Sequence, residues 1–165
     1  MVPEAGKMWC RRGVSLVGTM IAVVILLVAL IGTSSFRYYA ALDARKADAQ
    51  TTAARIALML CESWRGIRGD ETYDPTAHLG SDMDITASGG PGKPEDFTLL
   101  GSYTVVLDDA DPDSVNYYTT LSYKDVQPGL RALNVVVAWA QRAAGQDGTA
   151  NVDKSFRLTI YTQTY

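Results

Sequence analysis

Apolar and polar positions are spread unevenly along this chain. Met20 to Ile31 is apolar throughout, and none of the 24 positions between Arg12 and Arg37 is charged. A helix over that stretch is about 36 Å long, against a bilayer hydrocarbon core of roughly 30 Å, so it can span. From Phe36 to Arg65 the sequence lacks Pro and Gly, is rich in Ala, and acquires charges at Arg37, Asp43, Arg45, Lys46, Asp48, Arg55 and Glu62. Helix is expected to continue. Leu42, Ala49, Ala53, Ile56, Leu60 and Trp64 then fall on one stripe of a 3.6-residue period, a face that wants a sheet against it. The Gly66 to Gly69 region supplies a stop.

Residues 66 to 96 hold nine Gly or Pro positions among scattered acids, and read as an irregular connecting loop. Within it, Ser88-Gly89-Gly90-Pro91-Gly92-Lys93-Pro94 lacks the spacing of a phosphate loop, and its Lys is followed by Pro where Ser or Thr is required. Beyond it the period changes to two. Strands are predicted over Phe97 to Leu107, Val115 to Tyr123, Leu130 to Gln141 and Ser155 to Tyr165, each rich in β-branched and aromatic residues. Leu133, Val135, Val137 and Trp139 alternate with Asn134, Val136, Ala138 and Ala140, giving one strongly apolar face. Connectors at Asp108 to Ser114 and Lys124 to Gly129 are too short for parallel crossovers, and Gly145 and Gly148 argue against a crossover helix before the last strand. The expected fold is α+β: a long helix, transmembrane over 14–36 and amphipathic over 37–65, packed on a four-stranded antiparallel sheet formed by 97–165.

The charge balance narrows the partners. With 18 acidic and 15 basic residues, a net charge of −3 and 47% hydrophobic content, the 165-residue chain offers no broad positive field, and no nucleic-acid partner is expected. Locally the sign reverses: Lys7, Arg11 and Arg12 precede the apolar run and Glu4 is the only acid there, which holds the amino end in the cytoplasm and places the carboxyl side across the membrane. Three kinds of segment share this profile. A cleaved secretory signal could end near Gly32-Thr33-Ser34-Ser35, although the run is long for one. A permanent anchor would keep residues 1–13 and hold an extracytoplasmic binding or sensing domain. The third depends on the junction Arg11-Arg12-Gly13-Val14-Ser15-Leu16-Val17, where a basic pair meets the hydrophobic run without a polar spacer.

That junction resembles the processing site of type IV pilin-like proteins, the family of major and minor pilins and of the pseudopilins of type II secretion. Gly13, Ser15, Leu16 and Val17 match its pattern, while Val14 stands where Phe is usual and Gly18 where a Glu is expected. The alternating Asn134 to Trp139 and Phe156 to Thr162 resemble the last two strands of small minor pilins of the PilV type and related pseudopilins. The resemblance implies recognition of Arg11, Arg12, Ser15 and Leu16 by a prepilin peptidase, cleavage after Gly13 and N-methylation of Val14. It implies residence in the bacterial inner membrane as a single pass with a periplasmic head, then assembly with other pilin or pseudopilin subunits on an inner-membrane platform into a pilus or periplasmic pseudopilus. In the family, the missing carboxylate is thought to pair with a neighbour's amino terminus in an apolar core, where an isolated charge is very costly. Gly18 makes no such pair, which suits a minor, tip or initiating subunit, one with no predecessor to dock beneath.

Little else in the chain suggests chemistry. His78 is the only histidine, and Cys61, one of two cysteines with Cys10, lies beside the apolar stripe as a buried small residue would. No enzymatic site is expected, and no cofactor. Asp109, Asp111 and Asp113 alternate as the opening of a calcium loop does, but Ser114 replaces the required Gly and Thr120 the bidentate Glu, so a solvated Asp-Pro turn competes with a calcium site. Tyr103, Tyr117, Tyr118, Tyr123, Tyr161 and Tyr165 read as half-buried sheet residues, and an adhesive face has no spacing to support it.

Overall fold

The structure is a computed structural model that describes residues 16–81, 83–107, 115–140 and 152–164. The chain divides into two compact units, Met1–Ala44 and Arg45–Tyr165, described separately. Helix α1 (Leu16–Gly66, 51 residues) contributes to both. From its first described residue it follows the predicted helix and ends one residue beyond the predicted Arg65, because nothing in the span breaks the helical period.

In the second unit, Ala53, Ile56, Ala57, Leu60, Cys61 and Trp64 of α1 are buried in one cluster with the sheet. Ala49 packs against that cluster, whereas Leu42, the first member of the expected stripe, belongs to the first unit. The helix ends in a double hydrogen bond: the Arg68 N–H donates to the Arg65 carbonyl at 2.9 Å and the Gly69 N–H to the Trp64 carbonyl at 3.0 Å. This is the 5→2 and 6→1 pair of a Schellman ending, with Arg68 at φ 62° in the left-handed position that Gly usually fills.

The connecting region carries more structure than expected. Asp74 caps a short helix, α2 (Pro75–Leu79), by accepting from the Thr76 N–H at 3.0 Å. Strand β1 (Asp84–Ala87) follows and pairs antiparallel with β2 (Thr98–Val106), from Asp84 opposite Val106 to Ala87 opposite Tyr103. With β3 (Tyr117–Gln127), β4 (Leu130–Trp139) and β5 (Lys154–Gln163) the sheet is a five-stranded antiparallel meander in the order β1-β2-β3-β4-β5. The expected count of four is therefore corrected to five. Only Ile85 of β1 is buried, so four residues carried no visible period; the strand exists because β2 offers it a ladder. The connector expected at Lys124 to Gly129 shrinks to Pro128-Gly129, with Gln127 opposite Leu130 and Gly129 at φ 79°, the Pro-Gly order that a type II turn favours.

The two faces of the sheet differ in chemistry. Tyr103, Val105, Leu121, Leu133, Val135 and Val137 face α1 in the apolar core. The alternate positions of the same strands face away, and they join side chains across the whole sheet. Ser88 and Thr104 hydroxyls lie 2.6 Å apart, Ser102 and Thr120 3.3 Å apart, Ser122 donates to Asn134 Oδ1 at 3.4 Å, and Asn134 Nδ2 donates to Thr159 at 2.7 Å. Over this polar belt runs the glycine-rich segment after β1. Thr120 donates to the Pro91 carbonyl at 2.6 Å, and a methyl group added at Gly90 would meet Thr120 Oγ1, with the Thr119 carbonyl at 2.8 Å and Ser102 Cβ at 2.9 Å. Only glycine permits that approach.

Candidate functional site in the apolar helix

Among the described residues of the first unit the main chemical feature is the surface of α1. Its large side chains from Leu16 to Ile31 are exposed, Leu16 at 76% and no Val, Leu, Ile or Met among them below 52%. A contiguous apolar surface of this kind is rare on soluble chains and marks a place meant to be covered. The segment is long and apolar enough to cross a membrane.

Three of the four hydroxyl residues between Leu16 and Ser35 bond back within the helix. Thr19 donates to the Leu16 carbonyl at 2.8 Å, Thr33 to the Ala29 and Leu30 carbonyls at 3.0 Å each, and Ser34 to the Leu30 carbonyl at 2.9 Å. Hydroxyls bonded back in this way need no water, and an apolar solvent tolerates them. At the carboxyl end stand Phe36, Arg37, Tyr38 and Tyr39, all exposed, with the two tyrosine rings edge to face at 5.8 Å.

Of the residues singled out in the sequence, Leu16 opens α1 and Gly18 is its third residue. Arg11, Arg12, Gly13, Val14 and Ser15 lie outside the described residues, as do Asp109, Asp111 and Asp113 of the tentative calcium turn. Among the described residues no group of three or more His, Cys, Asp or Glu side chains could hold a metal ion.

The second unit has a polar centre that the sequence reading missed. Arg131, only 8% exposed on β4, donates from Nε to Asp125 Oδ1 at 2.6 Å, from Nη2 to Asp125 Oδ2 at 3.1 Å and Glu71 Oε1 at 2.7 Å, and from Nη1 to the Gly69 carbonyl at 2.9 Å. Its guanidinium also lies 4.5 Å from the centre of the Tyr123 ring. The hydrogen bond from Arg131 holds the Asp125 carboxyl below its ordinary range, and the same bond raises Arg131 further. An open hollow of about 430 Å³ adjoins it, lined by Asp125, Gln127, Pro128, Gly129, Arg131 and Thr164. Because Arg131 already holds two carboxylates and a carbonyl, this arrangement fastens the end of α1 to the sheet and leaves the hollow little cationic character. The available signal was a lone charge inside the apolar run of β4, which has to find partners if buried.

Comparison with protein-family models, with curated proteins and with solved structures returns no match.

Cys61 is buried and free, and desolvation, aided by the neighbouring Glu62 charge, pushes its thiol up to about 12. A thiol so protonated is a poor nucleophile. His78 stacks on Tyr73 at 5.3 Å, and Tyr73 in turn on Trp64 at 5.8 Å, so the histidine belongs to an aromatic column on the core.

Proposed function

We propose that the chain is a structural, non-enzymatic subunit of a type IV pilus or type II secretion filament, a minor pilin or pseudopilin at or near the tip. One observation carries this reading: α1 bears an exposed apolar segment in its first part and a buried stripe under a sheet in its last, without a break between Leu16 and Gly66. A secretory signal needs no such continuity, since its apolar segment is discarded. A filament subunit needs it, because the same apolar surface is covered first by lipid and later by the helices of neighbours. In this proposal residues 1–13 are removed by a prepilin peptidase, Val14 becomes the methylated terminus, and the head folds on the far side of the inner membrane. Movement is supplied by partner ATPase and platform proteins. Gly18 in place of a carboxylate supports a minor position, since a subunit without that charge lacks one means of docking beneath another.

Mass spectrometry of the chain isolated from membranes tests the reading. A terminus at N-methyl-Val14 is the expected result, and replacing Gly13 by Val should leave the leader attached and the chain outside filaments. An intact leader in the unsubstituted chain points to a permanent single-pass anchor, and a start after Ser35 to simple secretion; either result ends the proposal.

A further inference from the structure

The apolar helix contains information about where the hydrocarbon of a membrane would end on it. Two boundaries compete. The uninterrupted apolar run stops at Ile31, and a helix from Leu16 to Ile31 covers only about 24 Å. Extending it through Gly32-Thr33-Ser34-Ser35 gives about 30 Å, the thickness of the bilayer core. Three consecutive hydroxyl residues look like the start of a polar region and argue for the shorter span, whereas the transmembrane segment expected over 14–36 includes them.

The hydrogen bonds favour the longer span. Of the four hydroxyl residues between Leu16 and Ser35, Thr19, Thr33 and Ser34 return their protons to helix carbonyls three or four residues back. Thr33 and Ser34 therefore present mainly methyl and methylene groups outward and can stay in hydrocarbon. The next four residues are Phe36, Arg37, Tyr38 and Tyr39, of which Tyr38 and Tyr39 are each 64% exposed and held edge to face. Aromatic rings with a polar tip and a long cationic side chain are the groups that collect at the headgroup level, where one end is apolar and the other wet.

We propose that Phe36, Arg37, Tyr38 and Tyr39 form an interfacial anchor that binds the headgroup layer of the leaflet through which the helix leaves the bilayer. Arg37 pairs with lipid phosphates and the two tyrosines hold the depth of the helix. The inference rests on the membrane-spanning reading of α1 and deepens it: it names the residues that set the depth and the lipid chemistry that they meet.

The test uses the full chain reconstituted in vesicles of phosphatidylethanolamine and phosphatidylglycerol whose acyl chains are brominated either near the headgroup or near the chain end. Tyr38→Trp is the probe, Leu26→Trp the control, and the signal of the unsubstituted chain, which has three tryptophans, is subtracted. The expected result is that Tyr38→Trp is quenched several-fold more strongly by the shallow bromines than by the deep ones, while Leu26→Trp shows the opposite order. A quenched Leu26→Trp beside an unquenched Tyr38→Trp puts the boundary at Ile31 and overturns the anchor while leaving the span intact. Stronger quenching of Tyr38→Trp by the deep bromines overturns it too, by placing the tyrosines in hydrocarbon. If neither probe is quenched, the spanning reading itself has failed and the anchor falls with it.

Discussion

The indole N–H of Trp64 donates to the backbone carbonyl of Asp70 across 2.8 Å. The residue that closes the buried stripe of α1 thus also holds the first residue beyond the Schellman turn. Tyr73 stacks on one side of the indole and Tyr123 meets it edge to face at 6.5 Å, so helix, loop and β3 converge on a single side chain.

Trp64→Phe should keep most of the ring packing while leaving the Asp70 carbonyl without its donor. The expected loss is about 1–3 kcal/mol, with about 3–5 kcal/mol for Trp64→Ala, which empties the site. Urea unfolding of the full chain in detergent, followed by far-ultraviolet circular dichroism, measures both. Equal losses for the two variants would show that the hydrogen bond carries the whole effect.

Gly90→Ala should lift the glycine-rich segment from the sheet, because its new methyl group collides with Thr119, Thr120 and Ser102. A cost of about 1–3 kcal/mol is expected. Gly92, where an added methyl meets nothing within 4 Å, is the control, and Gly92→Ala should stay within about 0.5 kcal/mol of the parent. Faster amide exchange confined to residues 88–94 in the Gly90 variant would identify the lifted segment.

The acid response should follow two carboxylates. Asp125 is held low by the hydrogen bond from Arg131, and Asp70 by the Thr72 N–H that it accepts at 2.8 Å. Since both titrate lower folded than unfolded, the stability that they contribute is complete above the ordinary carboxylate value of about 3.9 and is lost as pH falls through that value toward the depressed ones. Asp125→Asn should flatten the fall of the urea midpoint below about pH 4 and leave the profile between pH 6 and 8 unchanged in slope. A variant that falls as steeply as the parent contradicts the assignment.

Thiol labelling should separate the two cysteines. With its thiol pushed up to about 12 and buried, Cys61 should resist iodoacetamide at pH 8 in the folded chain and react fully in urea. Peptide mapping should find label on Cys10 only in chains that retain residues 1–13. Rapid native labelling of Cys61 would mean that the core under α1 opens readily.

What the sequence disclosed depended on period and length. Ala53, Ile56, Leu60 and Trp64 were legible because three turns of helix repeat the same spacing, and Leu133 to Trp139 because strict alternation runs through a whole strand. Leu42 matched the spacing yet belongs to the first unit, since a period says which face a residue is on and not where one compact unit ends and the next begins. Four-residue β1 and five-residue α2 were hidden: each is too short to repeat, and each depends on a contact made elsewhere, β1 on β2 and α2 on the cap of Asp74. Arg131 was visible as a lone charge, but of its partners Asp125 stands opposite it on β3 and Glu71 comes from the segment after α1, which only the fold brings to the sheet. Gly13 and Val14, the proposed processing residues, and Asp109, Asp111 and Asp113 of the expected calcium turn lie outside the described residues.

The polar belt on the far side of the sheet has a consequence for how the strands find one another. A slip of one residue in β4 would swing Asn134 into the oily layer beneath α1 and turn Val135 outward among hydroxyls, stranding an amide and wasting a valine in the same step. The correct alignment is thereby enforced from both surfaces of the sheet at once.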